Sequence, residues 1–323
     1  MTILRFTLTA LTLVCLTIEP VAEGRAQDYP SKPIRYIVTS SPGSGLDIYG
    51  RIIAGGLTEV LGQQVFVENR AGAGGNIAAA IAAKAPADGY TLLQINNNHT
   101  INVTLYRNLT YDVIRDFSPI AKVFQSPYII AVHPSLPVKS ISELIKLAKS
   151  RPGELTYSSA GAGSGTFMAT ALFKSQTGVD MLHIPYVGGG PALRAVLSGE
   201  VPVYSPPLSS AITHIPQRLR ALAVTSGKRH SLLPGVPTVA ESVPGYEFDA
   251  WAGLMVPVNT PKEVIARVRS AVVSALNSPE ASKRLRDLGN DFVGDQPGEL
   301  AAFLKQDIEK MAKLIRQNRL TAD

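Results

Sequence analysis

The chain has 323 residues, of which 45% are hydrophobic and 17% charged, with a formal net charge of +6 and a single cysteine. This hydrophobic fraction is typical of globular proteins, and the length suits two domains of about 150 residues each, so disorder and a single small core are excluded. The basic residues are scattered or lie along one helix face, which indicates a solvated surface rather than a nucleic-acid-binding patch.

The first 26 residues have the three-part layout of a secretory signal peptide. Arg5 precedes an uncharged, mostly apolar run at residues 6–18, and the segment ends in Gly24-Arg25-Ala26. The apolar run is shorter than the roughly 20 residues that span a bilayer core. The sequence therefore predicts export to the periplasm, with cleavage after Ala26.

Cleavage at this point also removes Cys15, which excludes disulfides, thiol catalysis and cysteine-bound zinc from the mature protein. The alternative, a lipid anchor on Cys15, requires a small residue just before the cysteine, where Val14 stands. No later apolar run reaches 18 residues, so no membrane span is predicted.

Strand and helix patterns alternate from Ile34 onward. The first predicted elements are a strand at Ile34–Val38, a helix at Leu46–Leu61, a strand at Val65–Glu68, a helix at Asn76–Ala85 and a strand at Tyr90–Ile95. This alternation predicts an α/β fold with a mostly parallel sheet covered by helices on both faces.

A second set of alternating elements follows. Its predicted strands are Tyr128–Val132, Thr156–Ser158, Met181–Ile184, Val201–Tyr204 and Leu219–Thr225, and its helices are Ser140–Lys149, Thr166–Thr177 and Pro191–Ser198. The chain then continues with a strand at Trp251–Val256 and with amphipathic helices at Pro261–Asn277, Pro279–Leu288 and Gly298–Gln317.

Two domains follow from this order, the first formed by residues 27–125 and 251–323, the second by residues 126–250. Because no low-complexity linker separates them, short strands near Phe124–Ser126 and Phe248–Trp251 are expected to cross between the domains. Two such crossings form a hinge beside a cleft.

Each domain has a Gly/Ser loop between a strand and a helix, at Ser40–Asp47 and at Ser158–Thr166. Free N–H groups and the positive end of the helix dipole at such a place suit a carboxylate or a phosphate. The alternative for each loop is a plain capped turn. Two loops at matching positions favour an anionic ligand held from both sides of the cleft.

Catalytic and cofactor motifs are absent from the sequence. It contains no G-x-S-x-G, no G-x-G-x-x-G, no Walker-type phosphate loop and no metal-binding histidine spacing, so neither an enzyme nor a cofactor nor a metal is predicted. An exported hydrolase that uses the cleft is the alternative, and it lacks a recognisable nucleophile–base pair. His99 is a candidate ligand contact because it lies in the polar run Asn96–Thr100, just after a predicted strand.

Three segments of the first domain, Pro42–Asp47, Val67–Ile77 and Ala87–Leu93, resemble the Bug family, the extracytoplasmic solute receptors of tripartite tricarboxylate transporters. The resemblance continues through Tyr157–Gly165, His183–Tyr186, Leu219–Thr225 and Gly235–Thr238. It covers essentially the whole predicted mature chain. Each segment is weak alone, whereas the ordered set is specific.

The resemblance implies a type II periplasmic-binding-protein fold, with two mixed sheets flanked by helices and two crossing hinge strands. It implies capture of a small organic (di)carboxylate in the interdomain cleft and delivery to the membrane components of the transporter. The protein would then be a monomer without cofactor. The alternative function is that of a ligand-sensing receptor feeding a two-component signalling system.

Ligand contacts carried over from the family divide between the domains. They are Ser41, Gly43, Ser44, Asn98, His99 and Thr100 in the first domain, and Ser159, Gly163, Ser164, Thr166 and Tyr186 in the second. For Tyr186, packing beneath the Gly188–Gly190 loop is the alternative. The stretch Val203–Pro207 departs from the family pattern, and its aromatic and proline surface suits a flatter or aromatic acid. The sequence does not decide whether the carboxylate ligand is an aliphatic or an aromatic acid.

Overall fold

The computed structural model describes residues 29–317 and Leu320, so the predicted signal peptide at residues 1–26 lies outside the described residues. The strands of the described part are, in chain order, β1 (Ile34–Val38), β2 (Val65–Asn69), β3 (Thr91–Asn96), β4 (Phe117–Pro127), β5 (Ile129–Val132), β6 (Thr156–Ser159), β7 (Leu182–Pro185), β8 (Val203–Tyr204), β9 (Arg220–Val224), β10 (Asp249–Pro257) and β11 (Asp291–Phe292). They form two separate sheets.

Helices cover both sheets. They are α1 (Gly45–Leu61), α2 (Asn76–Ala83), α3 (Asn97–Leu105), α4 (Ile141–Ser150), α5 (Gly165–Thr177), α6 (Gly189–Leu197), α7 (Leu208–Ala211), α8 (Lys262–Leu276), α9 (Pro279–Asp287) and α10 (Pro297–Gln317). Within the described residues, none of these helices is long and apolar enough to cross a membrane.

The first sheet has six strands in the order β11-β4-β10-β3-β1-β2. Strands β2, β1 and β3 run parallel, whereas β10 is antiparallel to both β3 and β4. Buried residues of α1, α8 and α9 pack on one face of this sheet, and those of α2 and α10 pack on the other. Helices on both faces bury the apolar strands that the sequence pattern predicts.

The second sheet has five strands in the order β7-β6-β8-β5-β9. Strands β7, β6 and β8 are parallel, and β5 is antiparallel to β8 and β9. Its faces are covered by α4 and α5 on one side and by α6 and α7 on the other. The predicted mixed α/β fold with two helix-flanked sheets is therefore confirmed.

Strands β4 and β10 connect the two sheets. They pair antiparallel over their length, with Asp249 opposite Pro127 at the end next to the second sheet. The sequence prediction placed short crossings here, and the structure instead has two of its longest strands, of 11 and 9 residues. The domain boundaries at residues 126 and 250 stay a proposal. Helix α10 bears on them, because it packs against both sheets.

Helix α10 contacts the cores of both sheets. Leu300 and Leu304 belong to the core of the first sheet, whereas Met311, Leu314 and Ile315 belong to the cluster that covers the second. The end of α3 joins that second cluster as well. The two sheets are thus held together by packed helices in addition to the crossing strands.

At the first residue of β10, Asp249 places a carboxylate in a partly buried site. Its Oδ2 accepts a hydrogen bond of 2.6 Å from Gln125 Nε2, while its Oδ1 is sealed from solvent without a partner among the described residues. Burial raises the pKa of Asp249 to about 6, against the opposing hydrogen bond from Gln125 and helped by the charge of Glu247. The charged form is therefore less favourable in the folded state than in the unfolded chain.

We expect Asp249→Asn to stabilise the protein at pH 8 and to have at most a small effect at pH 4. With a folded-state pKa above the unfolded value, the carboxyl costs stability when ionised, and that cost disappears as the pH falls below both values. The expected gain at pH 8 is about 1–2 kcal/mol. Thermal unfolding at both pH values measures it, with the exposed Asp180→Asn as control. An equal effect at pH 4 and pH 8 would contradict the assignment.

Candidate ligand-binding cleft

A cavity of about 410 Å³ lies between the two sheets. We call it the cleft cavity. It is lined by Ser40, Gly43, Ser44, Gly45, Leu46, Tyr49, Asn96, Asn97, Asn98, Phe124, Ser126, Tyr128, Ala160, Ser164, Gly165, Thr166, Gly189, Gly190, Leu193, Tyr204, Pro207, Ser209, Ser210, Ala250, Trp251 and Asn290. None of these described lining residues carries a charge at neutral pH.

Four helices of at least eight residues begin at the cleft cavity. Helices α1 and α3 follow β1 and β3 of the first sheet, and α5 and α6 follow β6 and β7 of the second. Because all four strands are parallel members of their sheets, their carboxyl ends meet at the gap between the sheets. Each helix start contributes about half a positive charge. Positive helix-dipole ends therefore point at a cavity whose wall has no cationic side chain.

The first Gly/Ser loop is fixed by Asp47, which is buried in the first turn of α1. Its carboxylate accepts hydrogen bonds from Gly43 N at 2.8 Å, from Asn69 Nδ2 at 2.9 Å and from Arg51 Nε at 3.0 Å. Burial alone would raise the pKa of Asp47, but these hydrogen bonds, led by that of Arg51, hold it below its usual range. Asp47 thus shapes the loop and does not face the cavity.

The second Gly/Ser loop is held by its own hydroxyl groups. Ser164 Oγ donates to Gly161 O at 2.7 Å and accepts from Phe167 N at 3.2 Å, which caps α5. Thr166 Oγ1 accepts from Ala160 N at 2.9 Å. The equivalent serine of the first loop, Ser44, caps α1 by accepting from Asp47 N at 3.3 Å.

Backbone N–H groups are left open at both loops. The caps satisfy the amides of Asp47 and Phe167, whereas those of Gly45 and Leu46 in α1, and of Gly165 and Thr166 in α5, have no acceptor among the described residues. The first N–H groups of a helix have no partner within the helix. Two pairs of donors from opposite sheets therefore line one cavity, which is an arrangement suited to carboxylate oxygens.

The structure brings five of the predicted contact residues to the cleft cavity, namely Gly43, Ser44, Asn98, Ser164 and Thr166. Of these, Asn98 has a side-chain amide without a partner among the described residues, while Ser164 and Thr166 use their hydroxyls within the loop. In this arrangement backbone amides, more than loop hydroxyls, are the groups left for a ligand.

Three further predicted contacts of the first sheet do not line the cavity. Ser41 is exposed and contributes its carbonyl to the turn, where it accepts from Ser44 N. His99 is fully buried and completes the cap of α3, with its Nδ1 3.2 Å from Asn96 N, and burial lowers its pKa to about 4. Thr100 Oγ1 donates to Asp307 Oδ2 at 2.6 Å, which ties α3 to α10.

Three predicted contacts of the second sheet also lie away from the cavity. Ser159 is fully buried, and its Oγ lies 2.6 Å from His183 Nε2. Tyr186 donates its hydroxyl to Glu200 Oε1 at 2.8 Å and packs on the core around α6. Gly163 faces α3, where an added Cβ would lie 2.1 Å from Leu105 Cδ2.

Ser159 and His183 are residue types that form nucleophile–base pairs in hydrolases, and their side chains are in contact. No sequence motif indicated this contact. It lies outside the lining of the cleft cavity, and Ser159 has no solvent exposure. Ser159 Oγ also accepts from Gly161 N at 3.1 Å, and the His183 ring stacks on Tyr157 with ring centroids 5.0 Å apart. These contacts hold the second loop and give no access to a substrate.

Much of the cavity wall is formed by aromatic side chains, which were not among the contacts predicted from the sequence. They are Tyr49, Phe124, Tyr128, Tyr204 and Trp251. They come from α1, the crossing strands, the link between β4 and β5, and β8, so no local motif groups them. Only Tyr204 carried a signal, since it lies in the stretch that departs from the family pattern.

The fold and the cavity together define a solute-binding protein of the bilobal periplasmic type. The chain belongs to the family described as tripartite tricarboxylate transporter family receptor, TctC, whose model matches residues 49–320. The family resemblance predicted from the sequence is thereby confirmed, as is the prediction that the protein is not an enzyme.

Two curated relatives span nearly the whole chain. The UPF0065 protein in the tcbD-tcbE intergenic region of Pseudomonas sp. (strain P51) is 36% identical, over 96% of this chain and 93% of its own. Protein BugT of Bordetella pertussis is 34% identical, over 90% of this chain and 91% of its own.

Two solved structures show the same fold. The R. palustris protein Rpa4515 with adipate has a TM-score of 0.84 at 34% identity, covering 91% of this chain and 99% of its own. MatC from Rhodopseudomonas palustris with bound malate has a TM-score of 0.80 at 29% identity, covering 89% of this chain and 100% of its own.

The close approach of Gly163 to Leu105 is testable by substitution. Gly163→Ala is expected to destabilise the protein more than Gly178→Ala, because both glycines have a left-handed φ but only Gly163 has a neighbour within 4 Å of the added Cβ. The shared backbone strain costs about 1–2 kcal/mol. In a double-mutant cycle, Gly163→Ala should cost less stability in the Leu105→Ala variant than in the wild type, because the clashing side chain has been removed. Denaturant unfolding measures these variants and Gly178→Ala, and equal losses at the two glycines would disprove the contact.

Proposed function

We propose that this protein is a periplasmic receptor that captures a small organic carboxylate or dicarboxylate in the cleft cavity and delivers it to the membrane components of a tripartite tricarboxylate transporter. The observation that carries this proposal is the convergence of four helix starts, with open amides from both sheets, on a cavity without charged side chains. Such donors bind carboxylates without the charge of lysine or arginine.

The ligand contacts proposed here are Gly43, Ser44, Asn98, Ser164 and Thr166, together with the open amides at the starts of α1 and α5. Solved relatives support an acid as ligand, since one is described with adipate and another with malate. A ligand that contacts both sheets favours the closed arrangement because it binds that arrangement more tightly. A monomer suffices for this mechanism, since both halves of the cavity come from one chain.

An ionised ligand is the first expectation from this mechanism. In a thermal-shift panel of adipate, succinate, malate, citrate and benzoate, at least one acid should stabilise the protein, by about 2.7 kcal/mol at 100 times its dissociation constant. The methyl ester of that acid should not. Binding of the acid should also weaken below a pH of about 4, where carboxylates become protonated. An ester that binds as well as its acid would refute recognition by open amides.

The Asn98 amide is the side-chain contact that can be tested most directly. Asn98→Ala should weaken binding of the acid found in the panel by about 10- to 150-fold, the range for one hydrogen bond to a charged group. Ser41→Ala is the matched control, since Ser41 lies in a loop at the cavity without lining it, and it should leave the affinity unchanged. Isothermal titration calorimetry distinguishes them, and equal effects would reject Asn98 as a contact.

Export and delivery need tests of their own. Mass spectrometry of the periplasmic protein should find Gln27 as the first residue, whereas a lipid-modified Cys15 would overturn the predicted cleavage. Deleting the gene should abolish accumulation of the radiolabelled ligand. Unchanged uptake with loss of a transcriptional response to the ligand would instead establish the sensing receptor.

A further inference from the structure

The hydroxyl of Tyr128 is an unpaired hydrogen-bonding group in the wall of the cleft cavity. Tyr128 lies between β4 and β5 and is 5% exposed. Its hydroxyl has no hydrogen-bond partner among the described residues, yet it is not sealed from solvent. In the same wall, Trp251 Nε1 and Asn290 Oδ1 are unpaired but sealed. The Tyr128 hydroxyl, unlike these two atoms, is therefore open to a ligand in the cavity.

This hydroxyl lies beside the start of α5. A Cβ added to Gly165, the first residue of α5, would lie 1.9 Å from the Tyr128 hydroxyl oxygen and 2.9 Å from Cζ of the same ring. Because Cα–Cβ bonds tilt toward the N-terminus of a helix, the hydroxyl lies on the side to which the first N–H groups point. The open amides of Gly165 and Thr166 are among these groups. An anion bound by the two amides therefore lies next to the hydroxyl.

Contacts on both the ring and the backbone fix Tyr128 in place. The ring packs on Phe248, with centroids 5.5 Å apart. The main-chain carbonyl accepts hydrogen bonds from Thr225 N at 3.0 Å and from Thr225 Oγ1 at 2.9 Å. Tyr128 directly follows β4 and Phe248 directly precedes β10, so the hydroxyl is held where both crossing strands meet the second sheet. A donor that is already held in place loses little freedom when a ligand binds.

The protonation state of Tyr128 suits an anionic ligand. Burial raises the pKa of Tyr128, and the neighbouring Tyr204, Asp249 and Asp307 raise it further. The phenol therefore keeps its proton at neutral pH, where carboxylates are ionised. A protonated hydroxyl without a partner in the protein can donate to a carboxylate oxygen, and hydrogen bonds to charged groups are stronger than those between neutral groups.

Resting on the proposed function, we infer that Tyr128 is a ligand-binding residue whose hydroxyl donates to the carboxylate held by the first amides of α5. That carboxylate then accepts hydrogen bonds from Gly165 N, Thr166 N and the Tyr128 hydroxyl. Asn98 at the start of α3 supplements the backbone amides from the side of the first sheet, and Tyr128 does so from the side of the second. Because Tyr128 lies between the crossing strands and the second sheet, the ligand also contacts the hinge directly.

The position of the hydroxyl can be tested without a ligand. Gly165→Ala should lower the midpoint of denaturant unfolding more than Gly45→Ala at the start of α1, where the nearest atom to an added Cβ is Tyr49 Cε2 at 3.8 Å. In the Tyr128→Phe variant, Gly165→Ala should lower the midpoint less than in the wild type, because the nearest clashing atom has been removed. Equal effects at the two glycines would show that the hydroxyl does not lie over the start of α5 and would overturn the assignment.

The contact with the ligand is tested by Tyr128→Phe, which removes the hydroxyl and keeps the ring. By isothermal titration calorimetry at pH 7.5, the acid that stabilises the wild-type protein in the carboxylate panel should bind about 10- to 150-fold more weakly. Tyr157→Phe is the matched control and should bind with wild-type affinity. Tyr157 is also buried, and its hydroxyl has no partner among the described residues, but it does not line the cavity. Without ligand, both variants should unfold at the wild-type temperature, since neither loses a hydrogen bond.

The outcomes separate this assignment from the proposed function. Wild-type affinity in Tyr128→Phe, or an equal loss of affinity in both variants, would overturn the assignment and leave the carboxylate receptor intact. A lower unfolding temperature of ligand-free Tyr128→Phe than of Tyr157→Phe would also overturn it, because the hydroxyl would then be paired within the protein. If no acid of the panel binds the wild-type protein, the proposed function itself fails, and the assignment fails with it.

Discussion

Open backbone amides at helix starts are the interaction on which this structure depends. The amides of Gly45 and Leu46 belong to α1, and those of Gly165 and Thr166 belong to α5, yet they line one cavity. This convergence follows from topology, because parallel strands present their carboxyl ends at a common edge and each sheet turns that edge toward the other. An anion can therefore be bound without the desolvation cost of a buried lysine or arginine in an uncharged wall.

The relative position of the two sheets decides whether those amides share a ligand. Strands β4 and β10 connect the sheets covalently, and α10 packs against the cores of both. Asn97 links α3 to β10 through two hydrogen bonds, and Thr100 links α3 to α10. The start of α3 is thus fixed to the crossing strands, which places Asn98 in the wall of the cavity.

Polar groups in the loops divide into those that build the site and those left for a ligand. Ser164 and Asp47 are residue types that often bind ligands, but here their side-chain oxygens form hydrogen bonds within their own loops and hold those loops in shape. His99 does the same for α3, and its burial keeps it neutral at physiological pH. The polar and titratable side chains of these loops therefore act chiefly by positioning the backbone amides.

The sequence alone determined most of the strand and helix order, the two Gly/Ser loops and the family, because periodicity, caps and motifs are local properties. Helix α1, for example, ends where Gly62 adopts a left-handed φ of 68°, as its pattern predicts. The sequence did not predict α3 as a helix, since the polar run at Asn96–Thr100 has no apolar periodicity. It also indicated only a short crossing near Phe124–Ser126, where β4 is a strand of 11 residues. Only the tertiary structure decided that Thr100 faces Asp307, that Gly163 faces Leu105 and that Tyr49 and Tyr204 share a wall. Those contacts join residues far apart in the chain, and whether a polar group is buried, paired or open depends on them.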